Sequence, residues 1–257
     1  MGALQTSPLV LVGVALLVAA GLGVGARQMM TSGRNVIAQT PAPRASSASA
    51  SGHAAPVLHV PHLPGSITLD GDTDDPGWTT PPGPARTGAF VLASGAAGKP
   101  YSDTRLLWGD GHLYLSLYAA DEDIETRTDQ PDGPVWLDDS FRLTFVRGDV
   151  EYAVEVSPKG VVTDAIRRSG GVFDYSWSSG AHVSPELDGT INDPSNRDEE
   201  WVIEMAIPFE SLGMNGESGE SVGFSVRRCD TPKGSPRVCA GWGEGSADAP
   251  PGQLVLE

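Results

Sequence analysis

The stretch GPVWLDDSFRLTF, residues 133–145, combines an aromatic ring, two carboxylates and a guanidinium group within a few positions. Its second half alternates apolar and polar side chains, as a strand does. If the strand reaches back far enough, a period of two puts Trp136, Asp138 and Arg142 on its polar face. A tryptophan ring exposed among polar groups is suited to stacking against a ligand that has an apolar face.

The two carboxylates of this motif, Asp138 and Asp139, are adjacent, so a strand would point them to opposite faces. A general acid and its partner carboxylate must instead flank one bond. We therefore expect a structural role, with Asp139 accepting backbone N–H groups at the strand entrance. The sequence also lacks GxSxG, HExxH and phosphate-loop patterns. These features predict that the chain is not an enzyme.

A second acidic group occurs in LDGDTDDPGW, where Asp70, Asp72 and Asp74 alternate. Such alternation is typical of calcium loops, although the later Glu of an EF-hand is missing. Two interpretations stay open. The segment is either a turn held by Asx-type hydrogen bonds or a structural calcium site, and calcium is the one cofactor that the sequence suggests.

Two cysteines, Cys229 and Cys239, stand in CDTPKGSPRVC. The intervening Pro, Gly and Ser residues predict a turn that brings the thiols together. We expect a disulfide, which requires an oxidising compartment. The spacing fits no standard zinc site.

Charge divides the chain unevenly. Residues 1–55 contain no Asp or Glu and three arginines, so the remainder carries 14 basic and 33 acidic residues, a formal charge of −19. Such a surface repels phosphate backbones and excludes nucleic acid as the expected partner. A neutral ligand fits this charge better.

The N-terminal part contains a candidate membrane segment; its flanking arginines, Arg27 and Arg34, favour a cytoplasmic C-terminus, and the expected disulfide of the folded part favours export. Residues 9–26 are uncharged and almost wholly apolar, which is long enough to cross a hydrocarbon core as a helix. We interpret residues 1–30 as a signal peptide or membrane anchor, residues 31–58 as a disordered linker rich in Ser, Ala and Pro, and residues 59–257 as a monomeric folded domain. The expected location is extracytoplasmic: periplasmic, cell-surface or secreted.

The folded domain shows the period of a β protein. Apolar residues alternate with others in 113–118, 150–156, 201–207 and 222–227, and long helical periodicity is missing. WGDGH predicts a tight hairpin turn, and PFESLG a single helical turn. The expected fold is all-β, a two-sheet antiparallel sandwich of the jelly-roll or immunoglobulin-like kind.

Seven motifs follow one another in a recognisable order. They are ITLDGDTDDPGW (Ile67 to Trp78), TRLLWGDGHLYLSLYAAD (Thr104 to Asp121), VWLDDSFRLTF (Val135 to Phe145), YAVEVSPKG (Tyr152 to Gly160), WVIEMAIPFESLG (Trp201 to Gly213), GFSVRRCD (Gly223 to Asp230) and the closing GQLVLE. The series resembles carbohydrate-binding module family 9 and its relatives among the DOMON-like sandwiches. The resemblance covers roughly residues 60 to 257.

This resemblance implies a module that binds sugars without cleaving them and is often attached to secreted glycoside hydrolases. In the family's sugar binders two tryptophans clamp a terminal sugar, and one stands where this chain has Trp136. The second would precede the last strand, where no Trp follows Trp242, so Trp177 in DYSWSSG is the candidate replacement. Arg142 stands where the family tends to carry an acid. The predicted ligand-binding residues are Trp136, Arg142 and Trp177, and the predicted ligand is a neutral carbohydrate.

Two alternatives stay open. Some DOMON-like relatives bind haem and carry electrons, and Met205 or Met214 is a candidate axial ligand, although Met205 shares the apolar face of its strand. The other alternative is a structural or adhesive sandwich that has lost its ligand site.

Overall fold

Short strands make up most of the chain in a computed structural model, which describes residues 54–245 and 250–257. The strands are β1 (Val57–Val60), β2 (Ala85–Arg86), β3 (Ser102–Gly109), β4 (His112–Ala120), β5 (Ser140–Arg147), β6 (Val150–Val156), β7 (Val162–Arg168), β8 (His182–Asp188), β9 (Glu200–Pro208), β10 (Ser221–Asp230), β11 (Val238–Trp242) and β12 (Gly252–Leu256). The helical segments are α1 (Pro76–Thr79) and two single 3₁₀ turns, Val135–Leu137 and Phe209–Leu212. The predicted leader, residues 1–30, and most of the predicted linker, residues 31–58, lie outside the described residues.

The strands form two sheets. One has the order β1-β12-β10-β5-β6-β7, with β11 also paired to β10, and the other has the order β2-β3-β4-β9-β8. The inward faces of both sheets supply the buried core, including Leu115, Phe145, Trp201 and Phe224. These residues belong to the alternating runs of the sequence, so the predicted all-β sandwich is confirmed.

The first strand departs from the expectations in two ways. It begins at Val57, two residues inside the predicted linker. It also pairs with β12 in parallel, whereas all other strand pairs among the described residues are antiparallel. The edge of β12 is free to receive it because β12 uses its other edge for β10.

Local turn chemistry agrees with the sequence. Asp110 and Gly111 both have positive φ, 48° and 78°, between β3 and β4, which is the conformation that a two-residue hairpin requires. Phe209–Leu212 is a single helical turn that ends at Gly213 in the left-handed region, with φ of 66°.

The two cysteines are joined. Cys229 on β10 and Cys239 on β11 are direct cross-strand partners, 4.1 Å apart between Cα atoms, and they form a disulfide. The predicted bridge is confirmed. Within the described residues, no helix has the length and apolar character needed to cross a membrane.

Candidate functional site

Trp136 does not lie on a strand, so the predicted extension of β5 back to this residue is wrong. β5 begins at Ser140, and Trp136 is the middle residue of the 3₁₀ turn Val135–Leu137. Pro134 fixes the backbone at the start of this turn, and Val135 is fully buried beneath it. The turn therefore presents Trp136 outward, with 45% of its surface exposed.

The two aspartates after this turn, Asp138 and Asp139, hold it in place through hydrogen bonds to neighbouring segments. Asp138 accepts hydrogen bonds from the Thr126 hydroxyl and from the backbone N–H groups of residues 127 and 128. Asp139 accepts the N–H groups of Glu125 and Thr231, as predicted. Burial would raise the pKa of Asp138, but its hydrogen bonds outweigh burial and hold the pKa below the ordinary value. The carboxylates therefore fix the loop that carries the tryptophan.

The outer face of β5, β6 and β7 forms the floor next to Trp136. Strand register aligns Arg142, Glu155 and Thr163 in one row across the three strands. The next row contains Ala153 and Ala165, whose small side chains leave a slot above the sheet. Trp136 borders this slot.

A segment after β7 builds the opposite wall. Asp174 exchanges two backbone hydrogen bonds with Ile166 on β7. Because Ile166 faces inward, the residues on either side of Asp174, Phe173 and Tyr175, project over the outer face. Both aromatic rings line the slot.

Trp136 and Tyr175 are neighbours, with ring centroids 6.3 Å apart and planes inclined at 45°. A sugar ring held between two parallel aromatic rings would need a spacing of about 7–8 Å, twice an ordinary carbon–carbon contact. The two side chains therefore form a corner-shaped platform rather than a clamp. Both are exposed, Tyr175 to 48%.

Charged groups beneath the platform balance each other. Arg142 donates to Glu155 Oε1 at 2.7 Å, and Arg167 donates to Glu151. Both guanidinium groups lie over the Phe173 ring, at 5.3 and 4.5 Å from its centroid. Glu155 is 5% exposed, and its second oxygen, Oε2, is buried with no hydrogen-bond partner among the described residues. Both arginines beneath the platform are thus paired with a glutamate, and the slot contains one acceptor, Glu155 Oε2, that lacks a donor.

Three solved structures resemble this chain. A proposed carbohydrate-binding protein from Bacteroides uniformis ATCC 8492 has a TM-score of 0.61 and 15% identity, covering 79% of this chain and 99% of its own. A carbohydrate-binding module family 9 domain from Caldicellulosiruptor kristjanssonii, in complex with cellotriose, has a TM-score of 0.52 and 16% identity, covering 78% and 93%. The same kind of domain from that organism in complex with glucose has a TM-score of 0.53 and 17% identity, covering 78% and 95%. No protein-family model and no curated protein matches the chain.

This chain has the family 9 fold. The resemblance drawn from the order of motifs is confirmed at the level of the fold, and the low identities carry the likeness no further than that.

Two of the three predicted ligand residues lie together in this chain, and the third does not. Trp136 and Arg142 line the same slot, but Trp177 is not one of its lining residues. Trp177 is half-buried and packs on Tyr152, with centroids 5.4 Å apart. Ser176 explains the change of direction, because its N–H and hydroxyl both bond to Asp174 and turn the chain after Tyr175.

Sequence reasoning missed Tyr175 and Glu155. A signal existed for Glu155, because the alternation of β6 puts Glu151, Ala153 and Glu155 on the face opposite the core. Tyr175 had a weaker signal, its position two residues before Trp177. The isolated pairing of Asp174 with β7 decides its orientation, and that pairing has no local sequence pattern.

The acidic segment of this chain that contains Asp70, Asp72 and Asp74 is a hydrogen-bonded turn. Asp70 accepts the N–H of Asp72, and Asp75 accepts the N–H of Thr68. Buried Glu204 on β9 holds the loop, since it accepts the N–H groups of Asp70 and Gly71 and the indole N–H of Trp78. These contacts agree with the Asx-turn interpretation.

Among the described residues, one group of three acids converges closely enough to hold a metal ion, and it does not include Asp70, Asp72 or Asp74. It consists of Asp121, Asp139 and Asp230, all buried. Arg228 already lies in this cluster and donates to Asp121 and Asp230 at 2.8 and 2.9 Å. A guanidinium therefore supplies positive charge where a cation would otherwise be needed.

Burial raises the pKa of Asp139 to about 7, with the charge of Asp121 adding to the effect. Burial also raises the pKa of Asp230, and the neighbouring Asp121 opposes the lowering effect of Arg228. The cluster is thus able to retain a proton near neutral pH.

Proposed function

We propose that this protein is a non-catalytic module that binds neutral carbohydrate on the platform of Trp136 and Tyr175, with a hydroxyl group directed into the narrow slot below, whose volume is about 10 Å³. The observation that carries the proposal is Glu155 Oε2, a buried acceptor without a donor on the floor beneath two exposed aromatic rings. A pyranose offers both complements, since its C–H face stacks on an aromatic ring and its hydroxyl groups donate hydrogen bonds. The similar family 9 domains whose complexes contain glucose and cellotriose support the proposal.

Charge favours a neutral sugar over an acidic one. Arg142 and Arg167 are each paired with a glutamate at the site, and the surrounding chain is strongly acidic. Affinity then comes from stacking and a few hydrogen bonds. With a corner-shaped platform in place of a two-sided clamp, we expect a Kd on the order of a millimolar, about −4 kcal/mol.

The ligand of this site is an oligosaccharide rather than a single sugar. Tyr175 borders the slot and also a second, open cleft of about 300 Å³, whose lining includes Trp177, Ser176 and Ser178 of the same segment. A sugar stacked on Trp136 has room for a neighbour beyond Tyr175.

Binding without cleavage fits the state of the acidic pair in the motif. The carboxylates of Asp138 and Asp139 are buried and already accept three and two hydrogen bonds. Neither is arranged to protonate a glycosidic oxygen or to activate a water molecule. In this proposal a partner glycoside hydrolase supplies the catalysis.

We place the protein outside the cytoplasm. Residues 1–30 either anchor it in a membrane or act as a signal peptide that is cleaved. The disulfide supports this location because such bridges persist in oxidising compartments. The haem alternative is less well supported. Met205 is fully buried among core residues and Met214 is 5% exposed, so both act as apolar packing groups.

The test is calorimetric titration of the purified protein with glucose, cellobiose, cellotriose and matched xylo- and manno-oligosaccharides. We expect millimolar affinity that rises from monosaccharide to trisaccharide. Failure of every neutral glycan to bind, on a glycan array as well as in titration, would contradict the proposal and favour the adhesive alternative. A Soret band in the purified protein would instead favour haem.

A further inference from the structure

One arginine from a distant part of the chain holds the turn that presents Trp136. Arg237 belongs to the loop that the disulfide closes. Its guanidinium reaches three successive carbonyl oxygens of the turn that carries Trp136. Nη2 donates to the carbonyl oxygens of Trp136 and Asp138 at 3.2 and 2.5 Å, and Nη1 approaches that of Leu137 at 3.5 Å. Nη1 also contacts the Thr231 hydroxyl at 3.4 Å.

These carbonyl groups are the ones that a single helical turn leaves without intrahelical partners at its C-terminal end. A guanidinium suits them because it is planar, permanently charged and carries five N–H donors in a fixed fork. The turn is otherwise held by buried Val135 and by the Asp138 carboxylate. Both anchors act at its ends, whereas Arg237 contacts the peptide group that carries the Trp136 side chain.

The disulfide determines where Arg237 lies. Cys239 pairs with Cys229, and Val238 pairs with Asp230 at the last position of the β10–β11 ladder. Arg237 immediately precedes Val238 and is the last residue of the loop between β10 and β11. The covalent bridge therefore lies two residues from the arginine and fixes the hairpin end from which it extends.

We infer that Arg237 is a positioning residue for the carbohydrate platform and that the Cys229–Cys239 bridge maintains it, so that sugar affinity depends on the oxidised state of this hairpin. The inference rests on the proposed sugar-binding function. It assigns Arg237 no contact with sugar. The guanidinium acts by keeping the Trp136 ring at its angle to Tyr175.

The first experiment compares Arg237→Ala and Arg237→Lys with Arg127→Ala in the full-length protein. Arg127 is a matched control, because it is an exposed arginine of the neighbouring loop whose one ion pair within the described part of the chain is a loose one to Glu125 at 3.7 Å. We expect about tenfold weaker cellotriose binding for Arg237→Ala, which corresponds to 1.4 kcal/mol. Arg237→Lys should give an intermediate loss, because an ammonium cannot bridge three carbonyls. Arg127→Ala should bind as the wild type does.

The second readout reports the position of Trp136 without sugar. Acrylamide quenching is measured in each protein and in its Trp136→Phe counterpart, and the difference isolates Trp136 among the six tryptophans. Arg237→Ala should increase the quenching of Trp136. Weaker sugar binding with unchanged quenching would overturn the inference, since it would indicate direct contact of Arg237 with the ligand.

The bridge is tested by mild reduction and by the double variant Cys229→Ser/Cys239→Ser. Either change should increase Trp136 quenching as much as Arg237→Ala does, and should add nothing in the Arg237→Ala background. Additive effects, or none, would overturn the role of the disulfide. If wild-type protein binds no sugar, the proposed function fails while the quenching results still decide whether Arg237 and the bridge position Trp136.

Discussion

Arg142 on β5 and Glu155 on β6 are direct cross-strand partners, and the guanidinium Nη1 donates to Glu155 Oε1 at 2.7 Å. The family resemblance implied an acid at the position of Arg142. The structure places a buried carboxylate one strand away, in the same row of the sheet. The site therefore contains an acid, Glu155, that accepts hydrogen bonds. Arg142 orients this carboxylate.

Changing Glu155 to glutamine should weaken sugar binding by about tenfold or more, because hydrogen bonds to charged groups contribute roughly 1.5–3 kcal/mol. Isothermal titration with cellotriose measures the effect. Glu151→Gln is the matched control. Glu151 lies on the same face of β6 but one row beyond the alanines, and it does not line the slot, so its loss should leave affinity unchanged. Equal losses for both variants would mean that general acidity matters and that Glu155 Oε2 is not the acceptor.

Trp136→Ala should abolish measurable binding and leave the melting temperature nearly unchanged. Aromatic stacking is worth roughly 1–3 kcal/mol per ring in the nearest quantified case, which is a large part of a millimolar affinity. Substitutions at exposed positions usually change stability by less than about 0.5 kcal/mol. Leu137→Ala, in the same turn and 69% exposed, should keep both affinity and stability. A Trp136→Ala protein that melts several degrees lower yet still binds sugar would identify this ring as a packing group.

Tyr175→Ala and Trp177→Ala should have opposite consequences, although they are two residues apart. Tyr175→Ala should weaken binding severalfold with little effect on unfolding, because its ring is exposed on the platform. Trp177→Ala should leave the affinity for glucose intact, because Trp177 does not line the slot beside Trp136, and should lower the free energy of unfolding by about 2 kcal/mol, less than the 3–5 kcal/mol of a fully buried aromatic ring. Titration and thermal unfolding together separate the two outcomes. Loss of glucose binding in Trp177→Ala would identify Trp177 as a ligand residue, the replacement for the second clamp tryptophan that the family resemblance suggested.

These two aromatic residues show which part of the site could be predicted. Period-two alternation depends on local sequence, so the strands β4, β5, β6, β9 and β10, their buried faces and the hairpin at Asp110 followed from pattern alone. Trp136 was found because its motif is local and resembles a family. Its conformation was not predicted. Pro134 and the hydrogen bonds of Asp138 stabilise a helical turn at this position, so the strand begins later than the alternation suggests.

The remainder of the site depends on contacts between distant segments. Tyr175 faces the slot because Asp174 pairs with Ile166, and Arg237 reaches the Trp136 turn across a separation of 101 residues. Strand order determines both contacts, and a single sequence does not contain it. The calcium expectation for Asp70, Asp72 and Asp74 stays a prediction. The convergent acids, Asp121, Asp139 and Asp230, come from three separate motifs.

Two of those acids, Asp139 and Asp230, predict a stability that falls between pH 5 and pH 8. The folded-state pKa of Asp139 is raised to about 7, well above the ordinary value of 3.8, and that of Asp230 is also raised. Such groups bind more protons in the folded state than in the unfolded state. Their contribution is fully present below about pH 4 and is lost as the pH rises through the folded pKa. Because a tenfold difference in proton affinity corresponds to about 1.4 kcal/mol, the loss of stability is on the order of 2–4 kcal/mol.

Asp230→Asn should flatten this pH profile and stabilise the protein at pH 8, because it removes one negative charge that faces Asp121 and Asp139. Its Oδ2 has no hydrogen-bond partner among the described residues, so an amide there displaces no bond and can donate to a neighbouring carboxylate. Asp138→Asn is the control: the pKa of Asp138 lies below this window, so the variant should lower stability at every pH of the window and keep the slope. Thermal unfolding at pH 5, 6.5 and 8, with and without EDTA, measures all three proteins. Wild-type stability that rises toward pH 8 and falls with EDTA would show that the cluster holds a divalent cation instead of a shared proton.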